Sequence, residues 1–349
     1  MRLDLLYSYC IAREGTVGSK GMLWLGWLLC ATLSLPICSF SAASVRSTDQ
    51  LLLAAENARL SGHYAEAGEF YTAAIRDLEA AGVTGARLGR SLVELGNIRE
   101  VQGHCDLAAG LILRGIRILE AADGRPSFEL TEAWQKLGRA YDCLRQYSKA
   151  AQALGRAFQF ERSAPAPRPN KLVELLASQG GVYQSQRKFA EAERAFEHAQ
   201  SILDRNPRID PTEAALVLNN LGTLYRAMGR NAQSQAAFRR GLALAEAAAA
   251  PDSGVEVSLL DNLASLGLAR KQYREASASF ERALRLLDRG APVPPVAVVQ
   301  IVQDYAKCLR KLGQRDPAKT LEARAAALSS GQPDAAGPLV VDATELAKK

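Results

Sequence analysis

Histidine and cysteine have the widest chemistry of the side chains in this sequence of 349 residues, which contains three histidines and six cysteines. A structural zinc site requires closely spaced pairs of these residues, and the sequence contains no zinc-spaced cysteine pair. His63 and His104 lie 41 positions apart, each directly after a glycine. This recurrence indicates a repeated turn. We therefore predict no bound metal and no cofactor.

The residues that could perform catalysis do not form a recognisable set either. The sequence has no glycine-rich phosphate loop following a strand and no nucleophile elbow. Acidic pairs such as Glu191 and Glu193 have arginine or lysine beside them, which is typical of solvated helix faces. We predict that the protein is not an enzyme.

The composition excludes two further classes of protein. Hydrophobic residues make up 48% of the chain, which is too many for wholesale disorder. The formal net charge is only +6, and no stripe of basic residues with interleaved aromatics is present. Nucleic-acid binding needs such a stripe to follow phosphates and stack bases. We therefore predict no nucleic-acid partner.

The first forty residues have the pattern of a targeting segment. Positions 21–40 contain no charged residue, and three basic residues precede them. Small residues follow, with Ser41 and Ala43 in the two positions before a cleavage site. The pattern predicts that residues 1–43 are a signal peptide and that the protein is exported, to the periplasm or the exterior.

Two other interpretations of this segment remain open. A run of twenty apolar residues is long enough to cross a bilayer, so residues 21–40 could instead remain as an uncleaved membrane anchor. Membrane contact is predicted only through this segment. Alternatively, translation could start at Met22, which would remove Lys20 and the residues before it.

The rest of the chain repeats at a nearly constant period. One slot of a helix–turn–helix pattern recurs after 41 and then every 42 residues, at Tyr64, Cys105, Tyr147, Phe189, Asn231, Tyr273 and Arg315. A small residue lies three positions after each, and a bulky one lies seven after in most copies. Small residues let paired helices approach closely, and we expect the bulky residue to fill the gap between one pair and the next. Because one pair cannot bury its apolar face alone, the pairs must stack.

The segments between the helix pairs indicate where helices start. They are rich in proline, which cannot continue a helix. Asp210 and Pro211 predict an N-cap and a first helical position, and Ser253 with Glu256 predicts a capping box. We place a solenoid at residues 44–328 and a flexible C-terminal tail at 329–349, with repeats starting near 48, 89, 131, 173, 215, 257 and 299.

The third copy contains the motif Trp134-x2-Leu137-Gly138-x2-Tyr141, followed by Tyr147 and Ala150. This motif is typical of the tetratricopeptide repeat family, and through the repeat pattern residues 48–328 resemble that family. The 42-residue period is longer than the family's usual 34 and resembles the kinesin-light-chain subclass. The resemblance implies an all-α, right-handed α-solenoid of about seven stacked helix–turn–helix repeats, in which the first helices line a concave groove.

The same resemblance implies that the groove binds a protein or an extended peptide. Transferring the binding slots to this sequence gives Asn97, Lys136, Arg139, Asn219, Asn220, Arg226 and Asn262. Asparagine can both donate to and accept from a peptide backbone, and the cations attract acidic groups. As an alternative, Asn220 and Asn262 could belong to a ladder of hydrogen bonds that fixes the stacking of the repeats.

Three cysteines follow the targeting segment, namely Cys105, Cys143 and Cys308. Cys105 begins the second helix of one copy and Cys143 ends the first helix of the next, so both lie at the same level of a stack. A disulfide between them is possible in an oxidising compartment. Alternatively, both are small apolar fillers.

These observations predict an exported scaffold that binds a protein or peptide in its concave groove, within a cell-envelope assembly. Two other functions fit the same repeats. One is a ligand-sensing accessory subunit that regulates a separate enzyme, and the other is a self-assembling structural protein.

Overall fold

The protein is described by a computed structural model that covers residues 37–122, 127–249, 252–330 and Leu339. Within these ranges there are fourteen helices and no strand. The helices are α1 (Ile37–Leu60), α2 (Tyr64–Ala80), α3 (Ala86–Val101), α4 (Cys105–Ala122), α5 (Phe128–Cys143), α6 (Tyr147–Ser163), α7 (Pro169–Ser185), α8 (Phe189–Arg205), α9 (Pro211–Ala227), α10 (Asn231–Ala247), α11 (Ser253–Ala269), α12 (Tyr273–Asp288), α13 (Pro295–Lys311) and α14 (Arg315–Ser329).

The chain divides into two compact units, residues 1–47 and residues 48–349. Helix α1 begins in the first unit and ends in the second. Most of the predicted targeting segment lies outside the described residues. Among the helices that are described, none is long and apolar enough to cross a membrane.

Three of the first helices, α5, α9 and α11, begin after a residue whose side chain caps the helix. Asp210 accepts a hydrogen bond from the backbone N–H of Thr212 at 2.9 Å, and Pro211 is the first helical residue, as predicted. The predicted capping box at Ser253 is wrong. Asp252 is the N-cap, and its carboxylate accepts from the N–H groups of the two residues after Ser253. From α3 onward, the first helices begin three or four residues before the starts inferred from the period.

A residue in the left-handed region follows the first helix of every pair. These residues share one slot of the repeat, with φ between 56° and 83°, and they are Gly62, Gly103, Arg145, Arg187, Gly229, Lys271 and Gly313. Glycine adopts this conformation without steric cost, whereas arginine and lysine do not. The glycines before His63 and His104 therefore shape turns, and among the described residues no cluster of His, Cys, Asp and Glu is placed to hold a metal ion.

The recurring small and bulky residues meet inside each pair. Phe196, Phe238 and Phe280 are fully buried at one slot. The ring of Phe196 lies against Gly180, where an added Cβ would be 2.6 Å from Cε1. We expected the bulky residue to fill the gap between successive pairs. It also fills the space within its own pair, because the small residue removes the side chain that would occupy it.

The core of the described part of residues 48–349 is divided into four clusters. Its buried residues form clusters that each include helices from neighbouring pairs. One cluster extends from Ala215 on α9 to Ala325 on α14, and the others link the earlier pairs in the same way. Stacked helix pairs without strands in the described ranges confirm the predicted α-solenoid.

The predicted flexible tail falls mostly outside the described residues. Leu339, the one tail residue beyond Ser330 that is described, is buried against the last cluster. Its N–H donates to Asp288 Oδ1 at 2.7 Å, and its carbonyl accepts from Arg324 Nη1 at 3.0 Å. Leu339 therefore covers part of the last two repeats.

Candidate functional site on the first helices

The residues predicted to bind a partner all lie on first helices, and neighbouring first helices are close together. Helix α3 contacts α5, α7 contacts α9, and α11 contacts both α9 and α13. Each second helix packs mainly against the first helices on either side of it. We use the term inner face for the side of these first helices that carries the seven predicted residues.

Three of the predicted residues pair across the neighbouring helices α3 and α5. Lys136 forms an ion pair with Glu94 in which both side chains are mostly buried. Arg139 donates to Asn97 Oδ1, and its Nη2 lies 2.9 Å from Glu100 Oε2. Each partner lies 39 to 42 positions earlier in the sequence, so these contacts join adjacent repeats. In this part of the inner face, the polar groups largely satisfy one another.

Helices α5 and α7 are linked in the same manner. Gln135 donates to Glu174 Oε1 at 2.6 Å, and Lys171 lies between Glu132 and Glu174 at 3.0 and 2.9 Å. These contacts hold the third and fourth repeats together through side chains on the inner face.

On α9 and α11, the predicted residues divide into two groups. Asn262 donates to Asn219 Oδ1 at 2.9 Å. This is a hydrogen bond between repeats, as in the alternative interpretation of Asn262, but its partner is Asn219. The side chains of Asn220 and Arg226 have no hydrogen bond or ion pair with any described residue, and Arg226 is exposed. Asn220 and Arg226 are therefore the predicted residues left available to a ligand.

Asp261, next to Asn262 on α11, has an unusual environment. Its Oδ1 is buried and has no hydrogen-bond partner among the described residues. Burial raises the pKa of this carboxyl to about 6, and the nearby negative charge of Asp304 adds to the effect, whereas Arg226 opposes it. A buried carboxylate without a donor destabilises the fold. A ligand that supplies a donor at this point would remove that penalty.

Replacing Asp261 with asparagine is expected to stabilise the protein at neutral pH. An aspartate in the unfolded chain titrates near its ordinary pKa of about 3.9, so it loses its proton at lower pH than the folded group. Stability therefore falls as pH rises from about 4 to about 6 and stays low above that range. Asp261→Asn should raise the free energy of unfolding by about 3 kcal/mol at pH 8. Denaturant titrations at pH 4 and pH 8 would measure the difference.

The gain from Asp261→Asn should largely disappear near pH 4, where the wild-type carboxyl is protonated in the folded state and about half protonated in the unfolded chain. An equal gain at both pH values would show that packing, and not the charge, produces the effect. Asp304→Asn is a useful comparison, since it removes the neighbouring charge while leaving Asp261 in place. It should lower the pKa of Asp261 and recover part of the stability.

The structure joins Cys105 to Cys143 by a disulfide, with Cα atoms 6.2 Å apart. The bond connects the start of α4 to the end of α5 and so links the second pair to the third. Cys105 is buried and Cys143 is exposed. Cys308 is a buried free thiol that donates to the carbonyl of Tyr273 at 3.2 Å. Burial raises the pKa of the Cys308 thiol to about 11, which keeps it protonated and unreactive.

The family follows from a sequence match within the solenoid. Residues 213–289, which span helices α9 to α12, match the family model described as tetratricopeptide repeat. These two repeats, the fifth and sixth, belong to the tetratricopeptide repeat family. Proteins of this family are generally non-catalytic scaffolds that bind protein or peptide partners, and the helix pairs described above have the same organisation. A search of curated protein sequences found no match.

Solved structures with low sequence identity share the fold. BtubC (BKLC) from P. vanneervenii is 16% identical with a TM-score of 0.57, and the match covers 64% of this chain and 89% of that one. A tetratricopeptide repeat protein from Parabacteroides merdae is 15% identical with a TM-score of 0.55, covering 85% and 100%. The apo form of RapI is 10% identical with a TM-score of 0.60, covering 81% and 98%. These likenesses support the α-solenoid.

Proposed function

We propose that this protein is an exported scaffold that binds an extended segment of a partner protein on the inner face of α9, α11 and α13. The observation that supports this location is the set of unpaired polar groups on Asn220, Arg226 and Asp261. The inner face of α3 and α5 is much less suitable, because its predicted residues already pair with one another.

The chemistry of these groups favours a polar, extended segment. The Asn220 amide can donate to a backbone carbonyl and accept from a backbone N–H at the same time. Arg226 is an exposed cation that can pair with an acidic side chain or a terminal carboxylate. The negative charge of Asp304 adds to the raised pKa of Asp261, so a basic group of the partner would be favoured beside Asp261.

Asn262 and Asn219 have a different role in this proposal. Their mutual hydrogen bond joins the fifth and sixth repeats and fixes the distance between α9 and α11. They therefore position the neighbouring groups that contact the partner. Lys136, Arg139 and Asn97 perform the same positioning between the second and third repeats.

Export to the periplasm or the exterior, with work in a cell-envelope assembly, is part of this proposal. It is supported by the uncharged run at 21–40 with its basic flank, and by two cysteines placed for a disulfide. Mass spectrometry of the protein from fractionated cells would identify its N-terminus. Cleavage after Ala43 is expected, whereas an intact N-terminus in a membrane fraction would favour the anchor.

A photo-cross-linking amino acid at position 220 would test the proposed binding surface. We expect it to capture a specific protein in envelope fractions, and a peptide from the cross-linked region should bind the purified protein. The double substitution Asn220→Ala/Arg226→Ala should weaken that binding at least about tenfold, because hydrogen bonds to charged groups are among the stronger ones.

The matched control uses Arg274, an exposed residue on the second helix α12. A cross-linker at this position should not capture the partner, and Arg274→Ala should leave peptide affinity unchanged. If both positions capture the same proteins, or if Asn220→Ala/Arg226→Ala binds like the wild type, the inner face is not the binding surface.

A further inference from the structure

The second helices carry a regular series of ion pairs between one repeat and the next. An arginine on each of three second helices pairs with an acidic residue on the second helix before it. The pairs are Arg114 with Glu79, Arg240 with Asp204 and Arg282 with Glu246. The sequence separation is 35 or 36 residues in every case, so the same two slots of the repeat are involved.

The series is interrupted in the third repeat, although both residues are present. Arg156 and Glu120 occupy the two slots, but no ion pair joins them in the described structure. The guanidinium of Arg156 instead lies over the ring of Trp134, with Cζ 5.0 Å from the ring centroid. The slot of Trp134 is leucine in the neighbouring copies, for example Leu92 and Leu176. The larger indole ring therefore offers Arg156 a different partner.

A cavity of about 500 Å³ lies at this position, between the second helices α4 and α6, with α5 beneath it. Trp134 and Tyr141 supply aromatic surface, and Lys149 lies 5.4 Å from the ring centroid of Tyr141. Arg117, Lys149 and Arg156 all line the cavity, and none of them forms an ion pair with another described residue. Glu120 is the single acidic residue of the lining.

These features define a ligand chemistry. Three cations face one acid, so the cavity favours a negatively charged group. The two aromatic rings favour a flat apolar body, which can stack on them or lie against their edges. The volume lies within the range of small-molecule sites. The indole Nε1 of Trp134 is also buried without a hydrogen-bond partner in the described structure, which adds to the cost of the unoccupied state.

We propose that the cavity bounded by Arg117, Trp134 and Arg156 binds a small aromatic anion. Arg117 and Arg156 pair with the acidic group, and Trp134 and Tyr141 contact the aromatic body. The site involves the second helices α4 and α6, so it is separate from the proposed partner-binding surface on α9, α11 and α13. It gives the second and third repeats a small-molecule site that is independent of partner binding.

The fluorescent aromatic anion 8-anilinonaphthalene-1-sulfonate is a suitable probe. In the full chain with Trp24→Phe and Trp27→Phe, Trp134 is the single remaining tryptophan, since the sequence contains three. We expect saturable binding with one probe per chain, with energy transfer from Trp134 to the probe. Arg156→Gln should weaken binding about tenfold, and N-phenyl-1-naphthylamine, which lacks the sulfonate, should bind more weakly than the anion.

Two further variants complete the test. Trp134→Leu restores the residue of the neighbouring copies, so Arg156 should pair with Glu120 and saturable binding of the probe should be lost. Arg240→Gln removes an arginine from the equivalent slot two repeats away and should leave binding unchanged. The proposal would be overturned if Arg156→Gln and Trp134→Leu bound the probe as tightly as the protein without these substitutions. It would also be overturned if the uncharged compound bound as tightly as the anion.

Discussion

Replacing Phe238 with alanine is expected to lower the free energy of unfolding by about 3–5 kcal/mol. The ring is fully buried and fills the space over Gly222, whose missing side chain makes room for it. The same ring belongs to the cluster that extends to α13 and α14. Its removal leaves a cavity inside one helix pair and also weakens the contact with the next pair. Denaturant unfolding followed by circular dichroism would measure the loss.

Phe128→Ala is the matched control, because the Phe128 side chain is 55% exposed at the start of α5. It should cost less than about 1 kcal/mol, since little apolar area leaves the core. A cost for Phe238→Ala no larger than that of Phe128→Ala would mean that the pairs do not depend on the recurring aromatic residue. Gly222→Ala would add a methyl group to a space already filled and should cost about 1–3 kcal/mol.

The slots that determine the fold could be identified from sequence because they repeat. Gly180 and Phe196 lie at the same offsets as Gly222 and Phe238, and a pattern that recurs at a constant period shows which positions face the core. Local capping was harder to predict. Asp252 and Ser253 are both good N-cap residues, and the sequence does not show which of two adjacent residues stops being helical. The structure assigns the cap to Asp252.

The candidate site was harder to predict than the fold. Contacts between repeats decide which of its side chains are already hydrogen-bonded and which are available to a ligand. Asn262 meets Asn219, 43 positions away, and not Asn220, 42 positions away. Adjacent residues on a helix differ by about 100° in direction, so a change of one position decides which asparagine is satisfied and which is available. Residue types and spacing identified the inner face. They could not show that Lys136 and Arg139 are already paired within the chain.

The sequence also could not predict that Asp261 Oδ1 lacks a hydrogen-bond donor among the described residues. The residue type indicates a charge, but the raised pKa comes from burial and from Asp304 on the neighbouring first helix. Asp261 lies beside the predicted residue Asn262, so the sequence could indicate that its position belongs to the candidate site. Its importance depends on the absence of a donor, which requires the packed structure.

Reducing the disulfide between Cys105 and Cys143 is expected to lower the free energy of unfolding by about 3–4 kcal/mol. The bond closes a loop with a sequence separation of 38 residues, and cross-linking a loop of that size restricts the unfolded chain by this amount. Because Cys143 is exposed, a reductant can reach the bond in the folded protein. Denaturant unfolding with and without reductant would measure the effect, and peptide mapping would identify the linked cysteines.

The double substitution Cys105→Ala/Cys143→Ala separates the effect of the bond from other effects of the reductant. Its stability should not change when reductant is added, and it should resemble that of the reduced wild type. Cys308→Ala, which removes the thiol outside the bond, should keep the full response to reductant. Three reactive thiols at Cys105, Cys143 and Cys308 in the unfolded, unreduced protein would contradict the disulfide and remove one of the two supports for export.

A linked pair would explain how the second and third repeats stay in register. The bond crosses the boundary between them, where Lys136 and Arg139 also pair with α3.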